Sequence, residues 1–220
     1  MEPPLEKLDV FTETFSPLDP PSATYDEVHQ NGLWHQTFAC WLVNKSKRTV
    51  VLQLRGPKNR VDPGTFDASA GGHLSSGENP SDGFRELKEE LGITIPENNR
   101  AYLGVFRNIS VRGEYTNREF CHIFLAESIM APSDMTPEKG ELNGIFEISI
   151  DDGIYFFSGK TASVDAAGIE WDGQEYKASK KTLTEKDMCN SYERCHISKY
   201  YLKVMLAAQG FIQGSKILVI

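Results

Sequence analysis

Cysteine is scarce in this sequence, with four residues in 220, and no two have the spacing of a zinc site or a redox pair. Cys189 and Cys195 lie six residues apart on a predicted helix, which places them on different faces. Neither a disulfide framework nor a cysteine-bound metal is therefore expected. We predict reduced, structural thiols at Cys40, Cys121, Cys189 and Cys195.

Long apolar segments and a basic charge are also missing. No stretch approaches the roughly 20 apolar residues that span a bilayer. The opening MEPPLEKLDV lacks the basic start and apolar run of a signal peptide. The net charge is −8 and the pI about 5.2, so a nucleic-acid polymer or an anionic membrane is an unfavourable partner. These absences predict a cytoplasmic protein, and an anionic small molecule remains compatible because a bound metal ion reverses the local field.

The composition fits one core domain with additions at both ends. Hydrophobic residues make up 40% of the chain, which is enough for one core. Residues 1–24 are predicted as a strand at Leu8–Phe15 and a loop from Ser16 to Ser22. Residues 25–150 are predicted as the core, and 151–220 as a C-terminal extension.

Short β-rich segments alternate with turns along most of the chain. Further strands are predicted at 35–44, 49–55, 100–110, 118–128 and 144–150. Asp172-Gly173 predicts a hairpin. This hairpin covers a cleft, forms a dimer interface or is an addition to the core without a further role. A long helix is expected from about Glu185 to Ala208, with Gly210 as its stop. This order predicts an α/β (α+β) fold with a mixed sheet between helices.

The most informative segment is residues 71–93, GGHLSSGENPSDGFRELKEELGI, a glycine-bearing loop followed by a short helix. Ser81 is predicted as the N-cap of that helix, and Gly92 as its left-handed C-terminal stop. The helical spacing predicts a buried stripe. Its members are Phe84, Leu87 and Leu91.

Three carboxylates of this helix converge beside Arg85. Glu86, Glu89 and Glu90 lie at i, i+3 and i+4, on one face, where like charges repel. A divalent cation among them removes the repulsion, and Mg²⁺ prefers such oxygen ligands. The pattern therefore predicts a Mg²⁺ site, with Mn²⁺ as the alternative, acting on a phosphate. The simpler interpretation is a solvated glutamate-rich helix.

The segment resembles the signature of Nudix hydrolases. That signature reads glycine, five residues, glutamate, seven residues, then Arg-Glu-aliphatic-any-Glu-Glu-any-Gly-aliphatic. The matching positions are Gly72, Glu78, Arg85, Glu86, Leu87, Glu89, Glu90, Gly92 and Ile93. One residue is missing, because six residues and not seven separate Glu78 from Arg85. The sequence therefore leaves open whether Glu78 contacts Arg85.

From about residue 5 to 150 the chain looks like the Nudix subgroup most similar to type 1 isopentenyl-diphosphate isomerase. The stretches that carry this resemblance are YDEVHQNGLWHQTFACWLVN, LQLRGPK, PGTFDASAGGHLSSGE and NREFCHIF. It implies that His29, His35, His73 and Glu119 match metal ligands of the isomerase. Asn117 stands at the position of a further glutamate of the isomerase, and Gly71 stands at the position of its catalytic cysteine. Without that thiol one of two proton-transfer partners is missing, so isomerase activity is not expected.

The resemblance implies an α/β/α sandwich fold. It also implies hydrolysis of the diphosphate linkage of a nucleoside diphosphate derivative or a related organic diphosphate. Glu86 and Glu90 are the first candidates for metal ligands, and Glu89 is a third ligand or the general base. Glu119 and Glu141 are the other candidate bases.

Other residues of the resemblance have supporting roles. Arg85 is expected to orient the glutamates, and Arg55 is a candidate phosphate contact or else a surface cation. The three histidines form a second metal site or are scaffold residues that line the cleft. A small-molecule diphosphate is the expected partner, and a homodimer is left open. The rival hypothesis is a Nudix-fold module that binds a nucleotide without cleaving it.

Overall fold

The computed structural model describes residues 6–113, 115–189, 199–215 and 219–220. Its strands are β1 (Lys7–Phe11), β2 (Pro17–Thr24), β3 (Trp34–Asn44), β4 (Thr49–Arg55), β5 (Phe66–Asp67), β6 (Ala70–His73), β7 (Arg100–Arg112), β8 (Tyr115–Glu127), β9 (Leu142–Ser149), β10 (Val164–Trp171) and β11 (Tyr176–Leu183). Its α-helices are α1 (Tyr25–Asn31), α2 (Arg85–Leu91), α3 (Ile150–Phe157) and α4 (Tyr200–Ile212).

The strands form a mixed sheet that separates near its middle. Its main order is β11-β10-β9-β4-β3-β1-β2, with β8 parallel to β3 and β7 antiparallel to β8. β3 and β4 pair only at Val43↔Val50 and Asn44↔Thr49. Beyond that point β3 pairs with β6, while β4 pairs with β5 and β9. The two strands therefore diverge, and a cleft opens between them.

Helices cover both faces of the sheet. Alternate residues of β3 point to opposite sides, and Phe38 packs with Leu87 and Leu91 of α2. Trp41 belongs to the other apolar cluster, which includes the buried residues of α3 and α4. The predicted sandwich with a mixed sheet is thus confirmed.

The predicted loop from Ser16 to Ser22 is wrong, because Pro17–Thr24 forms β2, paired antiparallel with β1. Its prolines suggested a loop since they lack an N–H donor, but an edge strand tolerates them. β2 is the last strand of the sheet order. β1 ends at Phe11 and does not reach Phe15, whose φ is 64°.

The long helix expected from Glu185 to Ala208 is also wrong. Glu185–Asp187 forms a single 3-10 turn, and the Cys189 N–H donates to the Phe66 carbonyl at 2.8 Å, next to β5. Residues 190–198, including Cys195, lie outside the described residues. The helix of this region is α4, which continues past Gly210 to Ile212.

The C-terminal hairpin is confirmed. β10 and β11 pair from Val164↔Leu183 to Trp171↔Tyr176, around Asp172 and Gly173. Strands from residues 6–24 and from 151–189 hydrogen-bond into the same sheet as the core. The division at 24 and 150 stays a prediction. Within the described ranges, no helix is both long and apolar enough to cross a membrane.

A buried hydrogen bond ties α4 to the sheet and predicts a stability effect. Trp41 Nε1 donates to the Tyr200 hydroxyl at 3.0 Å. Tyr200→Phe leaves the Trp41 donor buried without this acceptor, so we expect the free energy of unfolding to fall by about 1–3 kcal/mol in urea denaturation. Tyr155→Phe is the control, since Tyr155 is 48% exposed and should change stability by less than about 0.5 kcal/mol. Equal effects of the two variants would contradict the role of this bond.

Candidate active site

A cleft of about 410 Å³ occupies the space between β3 and β4. The sequence-predicted site residues that line it are Arg55, Gly72, His73, Glu86, Glu90, Glu119 and Glu141. Residues from the glycine segment, from α2 and from strands far apart in the chain therefore meet in one place.

Two glycines of β6 let the acidic face of α2 approach the sheet. A Cβ added at Gly72 would overlap the carboxylate of Glu86. At Gly71 the backbone N–H donates to Glu90 Oε2 at 3.2 Å, and an added Cβ would lie 2.8 Å from the Phe38 carbonyl oxygen. The absence of side chains at both positions thus allows the two glutamates to reach the cleft.

The missing residue before α2 is absorbed by a 3-10 turn. Pro80–Phe84 forms this turn, which runs directly into α2, and it is capped by Asn79. The prediction of Ser81 as the N-cap is therefore wrong, because the chain turns two residues earlier. Gly92 ends the helix in the left-handed conformation with φ 71°, as predicted.

Arg85 joins the two halves of the segment. Its Nε donates to Glu78 Oε1 at 2.8 Å, so the shortened spacing preserves this contact. Its Nη1 donates to Glu86 at 2.8 Å and to Glu89 at 3.0 Å. Its Nη2 donates to the backbone carbonyl of His73 at 2.9 Å, which fixes α2 to the end of β6. One guanidinium thus orients three carboxylates, and Glu90 is not among them.

The negative charges of two carboxylates in the cleft are not fully balanced by the positive side chains around them. Burial raises the pKa of Glu86 to about 7, against the opposing effect of Arg85. Burial, followed by the charge of Glu86, raises the pKa of Glu90 well above its usual value. A divalent cation would compensate both charges, and two carboxylates one turn apart are a donor set that Mg²⁺ accepts. The residues present therefore fit this metal.

The remaining glutamates occupy different surroundings. Glu89 has a side chain that is 54% exposed, and it is not among the residues that line the cleft. Glu141 lines the cleft, and burial raises its pKa, with Glu138 acting in the same direction. Glu119 is buried on β8, where it accepts from Asn108 Nδ2 at 2.7 Å, and burial raises its pKa as well. A raised pKa suits a carboxylate that accepts a proton near neutral pH.

Arg55 lies inside the cleft and is not a surface cation. Its Nη1 is 3.5 Å from Asp67 Oδ2, and its Nε donates to the Val61 carbonyl at 3.1 Å. Asp67 is buried and was not predicted from the sequence. Its only signal is a charged residue within the otherwise small and apolar run TFDASA.

The structure brings the three histidines of the resemblance together. One ring nitrogen from each of His29, His35 and His73 lies within 4.8 Å of the others. Nδ1 of His29 hydrogen-bonds to the Tyr25 carbonyl at 2.7 Å, and Nδ1 of His35 to that of Leu33 at 3.0 Å. These contacts leave Nε2 of each ring as the acceptor.

The Nε2 atoms of His29, His35 and His73 are all buried and have no hydrogen-bond partner among the described residues. Burial lowers the pKa of His35 to about 4 and lowers the pKa values of His29 and His73, so the rings are neutral. Neutral imidazoles are typical ligands of a transition metal, and in His29 and His35 the other ring nitrogen bonds to a backbone carbonyl, as is common for such ligands.

Comparisons with known proteins agree with this fold. A family profile described as the NUDIX domain matches residues 33–158. An uncharacterised Nudix hydrolase of Clostridium acetobutylicum is 37% identical over 179 residues, which cover 80% of this chain and 86% of that protein. Isopentenyl-diphosphate Delta-isomerase 1 of Photorhabdus laumondii is 29% identical over 128 residues, 57% of this chain and 70% of that protein. A crystal structure of a Deinococcus radiodurans protein shares the fold, with a TM-score of 0.54 at 17% identity over 70% of this chain and 90% of that one.

This chain therefore belongs to the Nudix family, as a pyrophosphohydrolase of the subgroup that resembles isopentenyl-diphosphate isomerase.

The raised pKa of Glu86 predicts how stability depends on pH. The folded protein holds this proton more tightly than the unfolded chain, so the contribution of Glu86 to the metal-free protein falls as pH rises from about 4.5 to about 7. Bound Mg²⁺ competes with the proton, so it should raise the Tm more at pH 8 than at pH 5.5.

Urea unfolding in chelator from pH 4.5 to 7 measures the first effect, and thermal unfolding with and without Mg²⁺ at pH 5.5 and pH 8 measures the second. Glu86→Gln should flatten the decline, whereas Glu97→Gln, an exposed position, should leave it unchanged. A wild-type pH slope no steeper than that of Glu86→Gln would contradict the assignment.

Proposed function

We propose that this chain is a Mg²⁺-dependent hydrolase that cleaves the diphosphate linkage of a nucleoside diphosphate derivative or a related organic diphosphate. The observation that carries this proposal is the pair Glu86 and Glu90, which both line the cleft, Glu90 buried and Glu86 half-buried. Among the described residues Glu90 has no ion pair, and its hydrogen bond comes from the Gly71 amide. Such a pair is costly unless it binds a cation.

Glu86 and Glu90 would hold Mg²⁺, whereas Glu89 is 54% exposed and outside the cleft lining, so we do not assign it as a ligand. When bound, Mg²⁺ neutralises charge that develops on the phosphoryl oxygens. Arg85 holds Glu86 and Glu89 in place through its two short ion pairs. Arg55, which is held beside Asp67 by an ion pair, would bind a phosphate in the cleft through its guanidinium.

Glu141 is the general base that we favour over Glu119 and Glu89. The charge of Glu141 raises the pKa values of both Glu86 and Glu90, which supports a position beside the proposed Mg²⁺ site. A carboxylate there can accept the proton of the attacking water. Glu119 instead acts on the pKa of His29, and Glu89 is largely in solvent.

A second metal site at His29, His35 and His73 is supported by a separate observation, the three buried Nε2 atoms without partners. Glu119 would complete the set with a carboxylate. This donor set favours a transition metal over Mg²⁺, so the two sites would hold different ions.

Two rival functions have less support. A binding module has no need for a full set of catalytic carboxylates, and this chain retains Glu86, Glu89 and Glu90 with Arg85. Isomerase chemistry needs a proton-transfer group at position 71, where the chain has glycine.

We infer a small molecule as the partner because the cleft of about 410 Å³ has the size typical of such sites. A cytoplasmic location and a homodimer stay predictions.

Glu90→Gln tests the proposed function. Loss of one metal-binding carboxylate should lower kcat/KM by about 10²- to 10⁴-fold, because transition-state charge is no longer neutralised. Formation of the phosphate-ester products is measured by chromatography, with and without Mg²⁺, on nucleoside diphosphate sugars, dinucleoside polyphosphates and isoprenoid diphosphates.

The matched control is Glu13→Gln. Glu13 is an exposed glutamate that pairs with Arg107, and its loss should change the rate less than about twofold. Unchanged turnover of Glu90→Gln on an identified substrate would show that Glu90 is not a metal ligand.

A further inference from the structure

Glu141 lies on a loop, residues 136–141, that leads into β9. Near the start of this loop, the Glu138 N–H donates to the backbone carbonyl of Glu90 at 2.9 Å, on α2. At its end the chain enters β9, which pairs antiparallel with β4. The loop therefore connects the helix of the proposed metal site to the strand that ends with Arg55.

The segment directly after β4 contacts the backbone at Glu141. The Gly56 N–H donates to the Glu141 carbonyl at 2.6 Å, and the Lys58 N–H donates to the Gly140 carbonyl at 3.0 Å. A Cβ added at Gly56 would overlap the carbonyl oxygen of Gly140. The absence of a side chain at position 56 thus lets the two loops lie in direct contact beside the cleft.

One side chain reinforces this contact. Asn59 Nδ2 donates to the Glu141 carbonyl at 2.7 Å and to the Gly56 carbonyl at 3.1 Å. Because both acceptors are carbonyl oxygens, the side chain must supply two donors, which an amide NH₂ group does and a carboxylate does not. Asn59 is half-buried, and both Asn59 and Glu141 line the cleft. The amide therefore fixes the backbone of a residue that faces the proposed reaction.

A general base needs such a fixed position. It accepts a proton only within hydrogen-bond reach of the attacking water, and a displacement of about 1 Å can slow a reaction about 100-fold. Glu141 lies on a loop, and loops are more mobile than the strands that they connect. It also follows Gly140, which has a φ of 91° and no side chain to restrain it. A bond to the backbone of Glu141 itself compensates for both.

We propose that Asn59 is a positioning residue that holds Glu141, the proposed general base, in place at the cleft. This inference rests on the proposed function. Asn59 lies outside the signature at 71–93 and outside the stretches that carry the resemblance. It acts through the backbone of Glu141 and needs no contact with the reacting atoms.

Asn59→Ala tests the proposal. The probes are UDP-glucose, diadenosine tetraphosphate and isopentenyl diphosphate in Mg²⁺, and rates are measured on the one that wild-type protein cleaves fastest. We expect the single-turnover rate constant to fall roughly 10- to 100-fold and KM to change less than about threefold. Asn59→Asp keeps the shape of the side chain but turns oxygens toward both carbonyls, so its rate should fall at least as far.

The matched control is Ser158→Ala. It also removes a side-chain donor to a backbone carbonyl, that of Tyr155 at 2.9 Å, but at the end of α3 and outside the cleft lining. This variant should keep the wild-type rate. An Asn59→Ala protein that is as fast as wild type, or that loses only substrate affinity, overturns the proposal.

A double-mutant cycle with Glu141→Gln distinguishes positioning from a general structural role. If Asn59 acts through Glu141, then Asn59→Ala should change the rate of the Glu141→Gln protein less than about twofold. Losses that multiply show that Asn59 acts independently of Glu141, and the proposal is then wrong.

Hydrogen exchange separates failure of this inference from failure of the proposed function. In Asn59→Ala, backbone amides of residues 136–142 should exchange at least about fivefold faster than in wild type, and in Ser158→Ala they should not change. If wild-type protein cleaves no diphosphate, the hydrolase assignment fails, while faster exchange still supports the role of Asn59 in holding Glu141. Equal exchange in Asn59→Ala and wild type overturns that role whatever the activity.

Discussion

The site depends on one contact, in which two glycines of β6 let the acidic face of α2 approach the sheet. Gly72 leaves the space that the Glu86 carboxylate occupies, and the Gly71 amide donates to Glu90. Burial of these carboxylates is unfavourable in the free protein, as their raised pKa values indicate. The fold thus maintains a charge imbalance that a divalent cation would relieve.

The rest of the architecture holds this contact in place and gives it a cavity. β3 and β4 pair only at their joined ends, and their divergence opens the cleft. Packing of α2 on one face and of α3 and α4 on the other fixes the two walls. Arg85 then links Glu78, the end of β6 and α2, so these contacts form in spite of the shortened spacing.

Local spacing made much of this predictable. Glu86 and Glu90 could be identified because a single helix turn brings them together, and Gly92 because its left-handed conformation favours glycine. The prolines of β2 misled because the sequence does not reveal that a strand lies at an edge. Asp67 and Asn59 could not be found because the pairing of β4 with β5 and β9, which joins distant segments, brings them to their partners in the cleft.

The most direct test of the central claim is the position of a bound metal. Crystals grown with Mn²⁺ in place of Mg²⁺ would locate it by anomalous scattering. We predict a peak within about 2.2 Å of carboxylate oxygens of both Glu86 and Glu90. If crystals grown in saturating Mn²⁺ show no peak between these two carboxylates, the proposed metal site is contradicted, whether or not metal is present at His29, His35 and His73.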